Sequence, residues 1–167
     1  MKSSTHAFGT HLRYRLATAC RIAVVGIGDK SSIVDRLGME AALEIELLHI
    51  PGVRVFFAGT MPESMTGPLR KFHPDHVLLL DSADMDTPPG TIAIIEPERI
   101  PAGYFSTHAL PLSAVMEFLE NDSGTKVTLI GIQPGVTRYD EVLGPEEQDL
   151  LHRNLAELSG ILRKSCG

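Results

Sequence analysis

Short, almost wholly apolar runs alternate with amphipathic stretches along this chain, and that alternation limits its fold more than any other feature. A strand with no polar side is buried on both faces, as happens where helices cover both sides of a mainly parallel sheet. RIAVVGIG (21–28) reads as the first strand. VDRLGMEAALEIELLHI (34–50) follows as a helix whose apolar face takes Leu37, Ala41, Leu43/Glu44 and Leu47/Leu48, with Pro51 and Gly52 as its stop. Next come the strand VRVFFAG, a turn and helix through MPESMTGPLRKF, and HVLLLDSAD (76–84), so uniformly apolar that it belongs at the sheet centre. After the turn DTPPG comes the strand TIAIIEP. A parallel crossover needs about a dozen residues, so this strand is expected to form an antiparallel, hairpin-like excursion with HVLLLDSAD. LSAVMEFLEND reads as a helix, TKVTLIGIQP as the last strand, and PEEQDLLHRNLAELSGILRK as the closing helix. Pro145 and two glutamates open that helix, and Arg163 and Lys164 close it, as its dipole favours. The expected fold class is α/β: a three-layer arrangement with a twisted, mainly parallel sheet of about five strands, helices on both faces and one antiparallel strand.

The 167 residues suit one domain. Residues 21–167 are read as that domain, and residues 1–20 as an N-terminal segment, either a short helix against the sheet edge or a lead-in to the first strand. The net charge of −6 and the lack of any Lys/Arg run argue against a nucleic-acid or anionic-membrane partner. No run approaches the ~18 apolar residues of a membrane span, and the charges scattered through MKSSTHAFGTHLRYRLATAC do not suit a signal peptide. A soluble, cytoplasmic monomer is expected. Cys20 and Cys166 have no partners at zinc-knuckle or redox spacing and read as free thiols.

In an open α/β sheet, ligands bind outside the carboxyl ends of the strands. The residues found there are Gly28, Asp29 and Asp35 after the first strand and Gly59 and Thr60 after the second. Asp81 and Asp84 follow the third, Gln133 and Pro134 the last, and His108 lies in a loop with Ser106, Thr107 and Pro111. The Gly-x-Gly at 26–28 suggests a dinucleotide turn, but Lys30 and Ser31 stand where that motif continues toward its third glycine. It is no P-loop either, and Asp29 at the mouth of a helix would repel a phosphate. A carboxylate pair with one imidazole suits a borderline divalent ion such as nickel or zinc and leaves positions open for a substrate. Taken singly, each group has a plainer use: Asp35 as a helix cap, Asp81 as an acceptor at a strand end, His108 as a hydrogen-bonded loop residue. Their shared edge is what argues for function. His73 and His76 lie at the opposite edge and are expected at the surface. Ser64, Ser82 and Ser106 lack a nucleophile elbow, and no HExxH is present.

Four blocks then fall into a recognisable order: VVGIGD followed by Asp35; HVLLLDSADMDTPPGTIAIIEPERI; STHALPLSAVMEFL; and TLIGIQP. Over residues 21–162 the chain resembles the maturation endopeptidases of NiFe hydrogenases, most of all the branch that processes large subunits of formate hydrogenlyase-type, membrane-bound enzymes. The resemblance implies a twisted sheet between helices, and a protease that trims a C-terminal extension from the large-subunit precursor after nickel insertion. It further implies that Asp35, Asp81 and His108 bind the nickel, which the substrate supplies, so that isolated protein can be empty or hold another divalent ion. This sequence departs from the family in the opening loop. Asp29 replaces Asn, Val34 stands at the first of two acidic positions, and Arg36 stands at a glycine position. A second reading is therefore a non-cleaving homologue that grips the precursor as a binding or chaperone module.

Overall fold

The computed structural model describes residues 3–99, 112–135 and 143–165. Strands β1 (Ile22–Ile27), β2 (Val53–Gly59), β3 (His76–Ser82), β4 (Ile92–Ile95) and β5 (Lys126–Ile132) form one sheet in the order β2-β1-β3-β5-β4. The first three and β5 are parallel, and β4 pairs antiparallel with β5. Helices α1 (Ser3–Arg15), α2 (Leu37–Leu47) and α5 (Pro145–Ser165) pack on one face, and α3 (Thr66–Phe72) and α4 (Leu112–Ser123) on the other. The α/β class, the mainly parallel sheet and the single antiparallel strand are as the sequence implies.

Burial tracks position in the sheet. Every residue of β1 and β3 is buried, and all of β5 except Lys126, whereas the edge strands β2 and β4 are half-buried. Alternation along β3 sends Leu78 and Leu80 toward Leu12, Leu16, Ile45 and Leu158 on one face. It sends Val77 and Leu79 toward Leu69, Val115 and Leu119 on the other. Each fully buried Leu or Ile contributes about 1.5–3 kcal/mol, so these two dry layers supply most of what holds the helices to the sheet.

The partner of β4 and the extent of α2 differ from expectation. β4 is antiparallel but does not pair with β3; β5 lies between them. The short segment after β3 steps across the end of β5, tied by Ala83 N–H to Ile132 O and Gly90 N–H to Gln133 O, both 2.9 Å. The rule against a short parallel crossover correctly set the strand's direction but could not choose its neighbour. α2 also begins later than expected, and its buried positions are Leu37, Gly38, Met39, Ala41, Ala42 and Ile45. Leu43, Leu47 and Leu48 are exposed. Leu37 and Ala41 are buried as expected, but small residues share that face because the helix lies close to the sheet, so following the later leucines leads off it.

At the N-terminus, Leu12 and Leu16 are fully buried in the same core as α5. Arg15 pairs with Glu96 just beyond β4 and reaches Thr128 Oγ1 at 3.5 Å, which fastens α1 over the amino end of the sheet. His76 belongs to this cluster. Expected at the surface, it is only 2% exposed, with Nε2 2.8 Å from Thr128 Oγ1, while His73 at the end of α3 is exposed as expected. As the first residue of a central strand, His76 points with Leu78 toward the helices. Burial, followed by the nearby charges of Arg15 and Lys126, pushes its imidazole down to about 4.

That shift sets a pH dependence. The unfolded imidazole takes up its proton near the ordinary value of ~6.5, and the folded one only near 4. Between these values the unfolded state binds more protons, so stability falls as pH drops through the window, by about 3 kcal/mol in total. Urea unfolding at steps from pH 7 to pH 4 should show this loss in the wild type and a flatter profile in His76→Gln.

Candidate active site at the carboxyl edge

The chain leaves β1 for β2 on one side and returns to place β3 on the other, so the strand order reverses between β1 and β3. Such a switch point opens a crevice at the carboxyl ends of the two strands. Asp35 and Asp81 both lie at this edge, the first at the end of the β1–α2 loop and the second one residue from the end of β3. Both are buried, at 9% and 1% exposure.

The loop reaches Asp35 by closing on its own start. Gly28 has φ +132°, and a Cβ there would collide with the carbonyl oxygen of Asp35. Its N–H donates to Gly59 O at 2.9 Å, which joins the ends of β1 and β2. Asp29 N–H then donates to Asp35 Oδ2 at 3.2 Å. The glycines thus serve a tight turn that carries a carboxylate. Asp29 has a different task. Its Oδ1 accepts from the Ser31 hydroxyl at 2.6 Å and the Ser31 amide at 2.8 Å, and these bonds, the hydroxyl first, hold this exposed carboxyl below its ordinary range.

Two close approaches join the loop to β3. Leu37 N–H, at the start of α2, donates to Ser82 Oγ at 3.3 Å. A Cβ on Gly38 would strike the carbonyl oxygens of Leu80 and Ile27, so the first turn of α2 lies in the groove between β3 and β1. The close helix–strand contact for which the opening motif carries no third glycine is made by Gly38. Gly26 and Ala42 continue it one turn on, since a Cβ on Gly26 would meet Ala42 Cβ at 2.6 Å. Small residues at 38, 41 and 42 were the sequence signal for this contact, and a search for leucines passes over them.

The other edge residues sort by their partners. Asp84 is exposed, and its Oδ1 accepts from Gln133 Nε2 and Asp86 N–H, both at 3.3 Å. Gln133 is buried, and its Oε1 accepts from Met85 N–H at 2.6 Å. These two residues fasten the segment after β3 to the end of β5, which makes them structural members of the site's wall. Lys30 lies 5.5 Å over the Phe57 ring. Arg36 places Nε 3.1 Å from Glu40 Oε1 on its own helix. His108, with Ser106, Thr107 and Pro111, lies outside the described residues. Among the described residues, no three His, Cys, Asp or Glu side chains gather as a metal cluster. Two buried carboxyl groups, one in the β1–α2 loop and one on β3, still offer oxygen donors at the carboxyl edge, the chemistry that suits a divalent cation or a proton-transfer step.

The five-stranded α/β fold, with four parallel strands and one antiparallel, is shared with solved hydrogenase maturation proteases. The crystal structure of a NiFe hydrogenase maturation protease from Thermococcus kodakarensis matches with TM-score 0.78 and 29% identity, over 92% of this chain and 99% of that one. A crystal structure of a hydrogenase 3 maturation protease matches with TM-score 0.70 and 25% identity, over 86% of this chain and 92% of that one. The chain belongs to the hydrogenase maturation protease family, whose model matches residues 40–153, and it is accordingly a protease, a hydrolase of peptide bonds. A hydrogenase maturation protease relative from Methanocaldococcus jannaschii is 29% identical over 133 residues, 75% of this chain and 79% of that protein. The hydrogenase 3 maturation protease of Escherichia coli K12 is 34% identical over 86 residues, 51% of this chain and 54% of that protein.

The seating of α2 can be measured directly. Gly38→Ala should cost about 1–3 kcal/mol in urea unfolding, because the added methyl meets backbone that cannot swing aside. Gly160→Ala in α5, where the new methyl meets nothing, should instead gain up to about 1 kcal/mol from helix propensity.

Proposed function

We propose that this protein is an endopeptidase that removes the C-terminal extension of a NiFe hydrogenase large-subunit precursor after nickel has been inserted. In this reading Asp35, Asp81 and His108 recognise the nickel that the precursor carries. The observation that carries it is the burial of Asp35 and Asp81 at the β1/β3 switch point of a hydrogenase maturation protease. Nickel is here part of the substrate. Held by the two carboxylates and the imidazole, it brings the scissile segment to the crevice and marks the precursor as ready for cutting.

Hydrolysis then adds the oxygen of water to the peptide carbonyl carbon and breaks the C–N bond. A carboxylate takes the proton from water, and the proton leaves on the new amine. Asp81, the more deeply buried of the two acids, suits this proton transfer. The reading places the protein in the cytoplasm as a monomer in transient complex with its precursor. No helix of the described residues is long and apolar enough to cross a membrane.

The unusual opening loop bears on the alternative of a non-cleaving, precursor-binding module. Arg36 stands where the family has glycine, yet its guanidinium pairs with Glu40 on the helix. Asp29 holds the turn through Ser31. The departures at 29 and 36 are absorbed by local contacts and Val34, at the first acidic position, is exposed, while Asp35 keeps its buried place, which favours the active enzyme. Incubation with nickel-loaded and nickel-free precursor, read by mass spectrometry, separates the readings. The wild type should cut only the nickel-loaded form, and Asp81→Asn and His108→Ala should fold normally but lose at least about 100-fold in cleavage. Undiminished cleavage by both variants would remove these residues from the site, and precursor binding without any cleavage by the wild type would establish the binding module.

A further inference from the structure

We propose that Ser82 is a positioning residue of the site, one that sets the separation of Asp35 from Asp81 by capping α2 from the neighbouring strand; this rests on the functional reading above. The first amides of a helix have no partner within it and are usually met by the side chain of the N-cap residue. In α2 the N-cap is Arg36, which makes no such bond. The Leu37 amide finds its acceptor in Ser82 Oγ at 3.3 Å instead, across 45 residues of sequence. Ser82 is 5% exposed, so water does not readily replace that acceptor.

The position of the bond gives it its consequence. Ser82 directly follows Asp81 on β3, and Leu37 lies two residues after Asp35. Successive residues of a strand point to opposite faces. Asp81 therefore lies on the Leu79 side, while Ser82 turns toward α2. One strand end thus carries an acid of the site and, beside it, the acceptor that fixes the helix bearing the other acid's loop. The Gly38 contact with Leu80 O and Ile27 O limits how far α2 can approach, and the Ser82 bond limits how far it can withdraw. Two carboxyl groups that would hold one ion depend on their separation, and misplacement of reacting groups by about 1 Å can cost 100-fold in rate.

The test compares Ser82→Ala, Ser82→Thr, Asp35→Asn and Asp81→Asn in cleavage of nickel-loaded precursor, with precursor affinity and melting temperature measured alongside. Ser82→Ala should lower kcat by about 10- to 100-fold and reduce the preference for nickel-loaded over nickel-free precursor in binding, while leaving affinity for the nickel-free form unchanged. Ser82→Thr, which keeps the hydroxyl, should restore most of both. Wild-type kcat and nickel preference in Ser82→Ala, beside inactive Asp35→Asn and Asp81→Asn, would overturn the positioning role alone. Equal losses in Ser82→Ala and Ser82→Thr would overturn it too, by showing that shape and not the hydroxyl matters. Full cleavage by both Asp variants would overturn the functional reading, and the role of Ser82 with it.

Discussion

The contact on which the rest of this structure depends is the seating of the first turn of α2 in the groove between β1 and β3. Gly38 lies against the carbonyl oxygens of Leu80 and Ile27, and Gly26 lies under Ala42, at distances that leave no room for another side chain. A helix set this close brings its N-terminus to the crevice at the strand ends, and the loop before it must turn tightly to arrive there. Gly28 supplies that turn, and Asp35 becomes buried because the loop folds back on its own beginning. Removing the small residues would lift the helix, lengthen the loop's path and expose the carboxylate.

The two ends of the sheet use their polar groups differently. At the amino end, His76 Nε2 meets Thr128, Arg15 reaches Thr128 and pairs with Glu96 to hold α1 in place, and Asp75 accepts the amides of Cys20 and Arg21 at 2.9 and 2.7 Å. Those contacts lower the proton affinity of Asp75, with the Arg21 amide as the largest cause. At the carboxyl end, Gln133 and Asp84 build a wall, while Asp35 and Asp81 are gathered at the switch point. One end fastens α1 to the sheet, and the other collects the buried acids on which the proposed function rests. The separation follows from parallel strands, whose carboxyl ends all open to one side.

Much of this was legible in the chain, and the failures share a cause. HVLLLDSAD announced a central strand because no residue in its apolar run tolerates water, and β3 lies in the middle of the sheet. Asp35 and Asp81 could be nominated because strand ends are readable and the rule for ligand sites is general. The face of α2 was legible at Leu37 and Ala41 but not beyond, because hydrophobicity points to Leu43, Leu47 and Leu48, whereas the close contact also selects small residues. His76 was misread because two histidines around a proline look like surface, and only the helix packed above decides that the second is buried. Ser82 gave no sign at all, since its partner is a backbone amide 45 residues away in sequence.

By itself, then, the sequence determined which segments are strands and helices, that the sheet is mainly parallel, and which acids stand at its carboxyl edge. These are local properties of periodicity and of turn-forming residues, and they survive in any arrangement of the pieces. Tertiary structure alone decided that β5 lies between β3 and β4, that α2 rests on glycine and alanine, and that Ser82 caps a helix from another strand. Each of these is a choice of neighbour, settled by how closely two surfaces can approach, and shape complementarity between distant segments leaves no periodic trace in either one.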